Sequence, residues 1–157
     1  MSDVNVLFVC WGNICRSPIA ERVTQKYLDD AGLDGVTVTS AGVSDEEHGA
    51  PMDRRARAVL EKHGYDAGHH RAHRITADEI ADADLIVAAE PTHAEMIRDL
   101  APEADVELFS DFDPDAEPGS GIPDPWYGGP EGFEDTLRAV EAAMPGVLDR
   151  VRALQGK

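Results

Sequence analysis

Apolar positions along the chain form short continuous runs that alternate with stretches of helical spacing. Val4–Val9 is a compact apolar run and reads as a buried strand. It leads directly into Cys10–Arg16. Pro18–Ala31 then places Ile19, Val23, Tyr27 and Leu28 near one face of a helix. Pro18 suits the first helical position, where its missing N–H is not needed, and Gly32 suits the end. Val36–Thr39 predicts a second strand, and Asp53–His63 a second helix with Ala56, Val59 and Leu60 inward. Thr76-Ala77-Asp78-Glu79 has the form of a capping box and starts a short helix. Leu85–Ala89, Thr92–Leu100 and Val106–Leu108 follow as strand, helix and strand. Ser110–Pro130, rich in Asp, Pro and Gly, reads as one long loop, a length that usually carries function. Glu131–Leu154 reads as a final helix, bent or interrupted near Met144-Pro145-Gly146.

Strands that alternate with helices imply an α/β fold, a parallel sheet covered on both faces. The 157 residues, 42% of them hydrophobic, fit a single domain over 1–157 without repeats or linkers. In such folds ligands sit at the carboxyl ends of strands, where Cys10–Arg16 lies.

Charge narrows the functional classes. Thirty-one acidic and 14 basic residues give a net charge of −17, which argues against nucleic acid as a partner. Lysines are confined to Lys26, Lys62 and Lys157. An acid-rich, Lys-poor surface fits a salt-rich cytoplasm or an ordinary acidic protein from a GC-rich genome, and composition leaves both open. Met1–Cys10 lacks a basic leader and is unlike a signal peptide. No stretch approaches the ~20 apolar residues of a membrane span. A cytoplasmic protein without membrane association is expected. Cys10 and Cys15 are too few for a disulfide framework or a closed zinc site.

Cys10-Trp11-Gly12-Asn13-Ile14-Cys15-Arg16-Ser17 has the pattern C-x5-R-S between strand and helix. A short loop entering a helix can aim several backbone N–H groups into one anion-binding concavity, aided by the helix N-terminus. Gly12 and Asn13 tolerate left-handed backbone angles. Arg16 offers a planar fork for two phosphate oxygens. The same positive field favours a nucleophilic thiolate at Cys10, and Ser17 can donate a hydrogen bond to it.

On these residues the chain resembles the low-molecular-weight protein-tyrosine phosphatases. The resemblance begins at Val6–Glu21 and continues through Thr39-Ser40-Ala41-Gly42, Gly49–Arg55 and His70-Arg71-Ala72. It closes at Asp124-Pro125-Trp126-Tyr127-Gly128-Gly129. It implies a three-layer flavodoxin-like fold with strand order 2-1-3-4 and cofactor-free phosphoryl transfer without metal. Cys10 is then the nucleophile that forms a phosphocysteine, Arg16 the phosphate clamp and Asp124 the proton donor. Asn13, Ser17, Ser40 and His70 would hold the loop. Trp11, Trp126 and Tyr127 would wall the cleft. Phosphotyrosine-containing proteins are the implied partners and inorganic phosphate the product.

Several positions depart from the family's usual pattern. Glu46 stands where an aromatic is common and would repel acidic phosphopeptides. Ala89-Glu90 and then His93 replace Met-Asp followed by Asn, and His73 stands in place of Arg. An arsenate reductase on the same loop would need further cysteines, and none follows Cys15. A phosphoarginine phosphatase tends to have Thr where this chain has Ile14. A noncatalytic phosphate-binding module would be expected to lose Cys10, Arg16 or Asp124. His69 and His73, four apart, are two ligands and make no metal site. Asp111-Phe112-Asp113-Pro114-Asp115 lacks the spacing of an EF-hand and reads as a mobile acidic loop.

Overall fold

The computed structural model describes residues 3–156; Met1, Ser2 and Lys157, at the ends of the expected 1–157 domain, lie outside the described residues. Strand β1 is Val4–Cys10, followed by α1 (Arg16–Ala31), β2 (Val36–Gly42), α2 (Arg54–Lys62) and α3 (Ala77–Asp82). Then come β3 (Leu85–Ala88), α4 (Pro91–Leu100), β4 (Val106–Leu108) and α5 (Pro130–Gln155). The four strands are parallel and ordered β2-β1-β3-β4, the order the resemblance implied.

Strand β1 is central and buried on both faces, which explains its nearly unbroken apolar run. Val4, Val6, Phe8 and Cys10 face α1, α2 and α5, whereas Leu7 and Val9 face α3 and α4. The rings of Phe8 and Phe109 stack with centroids 5.4 Å apart. Among the described residues no helix is long and apolar enough to cross a membrane.

Helix ends follow the local chemistry. Gly32 closes α1 with φ 68°. Asp53 caps α2 by accepting from Arg55 N, and Thr76 with Glu79 forms the capping box of α3. Other expectations shift. Helix α1 starts at Arg16, so Pro18 is its third residue, still among the N–H groups that lack helical acceptors. Strand β2 extends to Gly42 because Ser40, Ala41 and Gly42 stay paired with Phe8, Val9 and Cys10.

Helix α5 runs uninterrupted through Pro145. Its buried stripe of Val140, Met144, Val147, Leu148 and Val151 outweighs one missing backbone bond. Gly146 is required there, since a Cβ would lie 2.6 Å from the Phe112 carbonyl oxygen. The long loop holds two short 3-10 turns, Phe109–Asp111 and Pro125–Tyr127. The stretch expected to be a mobile acidic loop is instead anchored: Phe112 is buried with the Arg150 guanidinium over its ring. His69 and His73 lie outside any helix, and His73 Nε2 contacts Glu79 Oε2 at 2.7 Å.

Candidate active site

The loop between β1 and α1 is shaped by donors from elsewhere in the chain. The Cys10 and Trp11 carbonyls accept from Val43 N and Ser44 N, and the Ile14 carbonyl accepts from Asp53 N at 2.9 Å. The Asn13 carbonyl meets His70 Nε2. With the carbonyls turned outward, the N–H groups of Gly12 to Arg16 have no protein acceptor among the described residues. Gly12, Ile14, Cys15 and Arg16 line a concavity of about 220 Å³ at the carboxyl end of β1.

Asn13 adopts φ 63°, as its residue type allows. Gly12 does not have a positive φ, contrary to expectation. A Cβ there would approach the Glu47 side chain, with Cγ at 3.3 Å.

The hydrogen bonds around the sulfur have a direction. Asn13 Nδ2 donates to Ser17 Oγ at 2.8 Å and to Ser40 Oγ at 3.0 Å. Ser40 in turn donates to Glu21 Oε1 at 2.8 Å. Ser17 Oγ lies 3.0 Å from Cys10 Sγ and 3.5 Å from the Ala41 carbonyl oxygen, so its one proton has the sulfur as its nearer acceptor. Asn13, Ser17, Ser40 and His70 are thus brought together, and Glu21 joins them without having been expected.

Arg16 is a fully buried arginine at 2% exposure. Its Nη1 donates to Glu90 Oε2 at 2.7 Å and to the Ile122 carbonyl at 2.8 Å. Both Nη1 protons are therefore engaged, and Nε and Nη2 remain to meet an anion as a fork. Nη2 lies 3.7 Å from Asp124 Oδ2. Asp124 Oδ1 accepts from Trp126 N at 3.0 Å and caps the Pro125–Tyr127 turn.

Cys10, Gly12, Ile14, Cys15, Arg16 and Asp124 face the cleft, with Trp11, Glu46, Glu47, Trp126 and Tyr127 around it. Trp11 Nε1 donates to Glu46 Oε2 at 3.2 Å. Trp11 and Trp126 are about two-fifths exposed, while Tyr127 is 91% exposed and forms the outer rim.

Arg55 links the loop to the Asp124 segment. Asp53, whose N–H holds the Ile14 carbonyl, binds Arg55 through both carboxylate oxygens. Burial acts to raise the Asp53 carboxyl, but the hydrogen bonds and charge of Arg55 outweigh it and hold it below the usual range. Arg55 Nη1 donates to the Trp126 carbonyl at 3.1 Å, and its guanidinium lies over the rings of Trp126 and Phe133. The motif Gly49–Arg55 includes Arg55 but gives no sign of this task. Cys15 is buried at the edge of the cleft; burial, then the charges of Asp53, Cys10 and Asp124, push its thiol well up and keep it protonated. No group of three or more His, Cys, Asp or Glu among the described residues is placed to hold a metal.

The chain matches the family model described as low molecular weight phosphotyrosine protein phosphatase over residues 5–156. It is 43% identical over 155 residues to low molecular weight protein-tyrosine phosphatase A of Mycobacterium tuberculosis, covering 96% of this chain and 94% of that one. It is also 43% identical over 153 residues to a low molecular weight protein-tyrosine-phosphatase of Streptomyces coelicolor, with 94% and 93% covered. A crystal structure of a protein tyrosine phosphatase from Entamoeba histolytica, with Hepes in its active site, superposes with a TM-score of 0.90. That structure is 28% identical, and the match covers 98% of this chain and 99% of that one.

Proposed function

This chain belongs to the low molecular weight phosphotyrosine protein phosphatase family, and from that premise we propose how its own residues divide the hydrolysis of phosphotyrosine and aryl phosphate monoesters. The observation that carries the reading is one cleft in which Cys10 Sγ, the free side of Arg16, a run of unpaired N–H groups and Asp124 converge.

The phosphate dianion enters the concavity, its oxygens taking the N–H groups of Gly12 to Arg16 and the Nε and Nη2 donors of Arg16. The Cys10 thiolate attacks phosphorus in line, and the bond to the aryl oxygen breaks. Asp124 gives its proton to the departing phenolate. Charge on the equatorial oxygens meets donors already in place, so little reorganisation is needed. Asp124, now a carboxylate, takes a proton from water as that water attacks the phosphocysteine. The S–P bond breaks and inorganic phosphate leaves, with Ser17 stabilising the released thiolate through the 3.0 Å contact.

Trp11 and Trp126 present flat apolar walls suited to a phosphotyrosine ring, with Tyr127 at the rim. Glu46 adds a carboxylate at the mouth, unfavourable to acidic flanking residues. Phosphotyrosine-containing proteins in the cytoplasm are the substrates this reading assigns, for one phosphatase domain over 1–157 that uses no cofactor. Neither rival gains support. No cysteine after Cys15 is available for the thiol relay of an arsenate reductase, and Ile14 faces the cleft where a phosphoarginine phosphatase tends to have Thr.

Activity on aryl phosphates, phosphoserine, phosphoarginine and arsenate, measured side by side for the native chain and Cys10→Ser, tests the assignment. Near-native phosphatase activity in folded Cys10→Ser would overturn it. Asp124→Ala should slow turnover about 10²–10⁴-fold, the usual worth of a positioned general acid, for ordinary phenols and much less for very acidic ones. An equal loss for every leaving group would remove Asp124 from the role of acid.

A further inference from the structure

We propose that His93 is a positioning residue for Arg16: its ring, as a neutral hydrogen-bond donor, holds the Glu90 carboxylate against the guanidinium and so fixes the fork offered to phosphate. The inference rests on the reading of Arg16 as phosphate clamp and adds a residue that acts on it from behind.

Glu90 is the residue that caps the N-terminus of α4, yet its side chain caps no N–H of that helix. The carboxylate is turned to Arg16 instead. About 40% of the Glu90 side chain is exposed, so the solvent side does little to restrain it. What flanks it on the inner side is His93, only 2% exposed. The His93 backbone N donates to the Glu90 carbonyl at 3.0 Å, and the ring Nε2 lies 3.4 Å from Glu90 Oε2. That same Oε2 accepts from Arg16. At 3.4 Å the ring nitrogen is within ion-pair distance of the carboxylate but beyond the length of a normal hydrogen bond.

The protonation of the ring follows from its surroundings. Arg16 faces it from α1, Glu90 from the turn into α4 and Asp124 from the long loop. Burial, then the Arg16 charge, depress the imidazole to about 4, with Glu90 and Asp124 opposing. A neutral ring leaves the charge of Glu90 to Arg16, whereas an imidazolium would compete for it.

Between the two neutral tautomers, Nε2–H offers a donor to Glu90 and leaves Nδ1 as a bare acceptor. Nδ1 is indeed buried without a hydrogen-bond partner among the described residues. The other tautomer would set a lone pair against a carboxylate oxygen and bury an unpaired N–H, the costlier arrangement.

Three measurements on the full chain test this. Nitrogen-15 NMR at pH 7 should show His93 as the neutral Nε2–H tautomer; an Nδ1–H tautomer or an imidazolium overturns the proposal, and this result decides if a variant fails to fold. His93→Leu should lower kcat/KM for an aryl phosphate about tenfold and weaken inhibition by inorganic phosphate by a similar factor. His93→Gln, which keeps a neutral donor near Nε2, should recover most of both, and a Gln variant as impaired as the Leu variant overturns the donor role. In a Glu90→Gln background, His93→Leu should cost less than about twofold more, because the partner charge is already gone. A fully additive loss overturns action through Glu90. Native kcat/KM in folded His93→Leu, beside an inactive Cys10→Ser, would remove the inference and leave the phosphatase reading standing.

Discussion

Lowering the pH from 7 to 4 should destabilise the protein through His93 by about 3 kcal/mol. In the unfolded chain this imidazole titrates near 6.5, whereas burial and the Arg16 charge depress it to about 4 in the folded protein. Between those values the unfolded chain binds the proton and the folded chain does not, so protonation favours unfolding. The stability of the neutral ring is fully present above the unfolded value, declines as pH falls, and stops declining once the folded ring also protonates. Integrating proton uptake gives a loss of about 2 kcal/mol at pH 5 and about 3 kcal/mol at pH 4, relative to pH 7. Urea unfolding of the native chain and His93→Gln at pH 7, 6, 5 and 4 isolates this contribution. Arg16, Glu90 and Asp124 are present in both proteins. So are Asp53, lowered mainly by Arg55 against burial, and Glu134, lowered by hydrogen bonds from Lys62 and His63. The two stability curves should therefore converge as pH falls. Curves that stay parallel within about 0.5 kcal/mol, the usual error of such differences, would refute the reasoning.

Arg55→Ala should lower kcat about 10- to 100-fold by releasing the Trp126 carbonyl and misplacing Asp124, with KM changing little. The loss should shrink for acidic phenols, and an effect independent of leaving group would disconnect Arg55 from Asp124. Peroxide should inactivate the enzyme by oxidising Cys10 to a sulfenic acid, which the Cys15 thiol then converts to a disulfide with loss of water. Intact mass should fall by two protons and dithiothreitol should restore activity; an unchanged mass on inactivation would show that Cys15 only packs at the edge of the cleft. If the −17 charge reflects a salt-rich cytoplasm, the thermal midpoint should rise between dilute and molar KCl, as the screening length falls from about 10 Å at 0.1 M to about 3 Å at 1 M. A flat or falling midpoint would exclude the halophilic reading.

Local signals made much of the fold legible. Strand β1 announced itself through Val4–Val9 because a central parallel strand is buried on both faces. Thr76 with Glu79, and Gly32, marked helix ends by their own chemistry. The loop was legible because the chemistry of phosphate places Cys10, Arg16 and Ser17 within one short segment. Errors arose where distant packing overrode a local rule. Pro145 should break a helix, yet the buried stripe on both sides carries α5 through it. Phe112 sits among acidic residues that look like a loose loop, but its ring belongs to the core. Gly12 was expected to supply a left-handed angle, but its φ is not positive. Arg55 and Glu21 were illegible as functional residues, whereas Glu90 and His93 stood out only as departures from the family's usual pattern. Nothing in their immediate neighbours shows that Arg55 will reach Trp126, 71 positions away, or that Glu21 will receive Ser40.

The two protein acceptors on Arg16 Nη1 lie 74 and 106 positions further along the chain. Such separations carry a consequence for folding. In the proposed mechanism the segment from Cys10 to Ser17 supplies the sulfur that attacks phosphorus, but it does not contain the partners that set its shape. Closing contacts over those distances costs chain entropy that only later packing returns. A nascent chain that has emerged only as far as β2 has the full C-x5-R-S sequence and no catalytic clamp. The clamp is complete only when both Glu90 and Ile122 have docked on Arg16. Catalytic activity should therefore report the docking of both distant segments, and not the formation of the sheet alone.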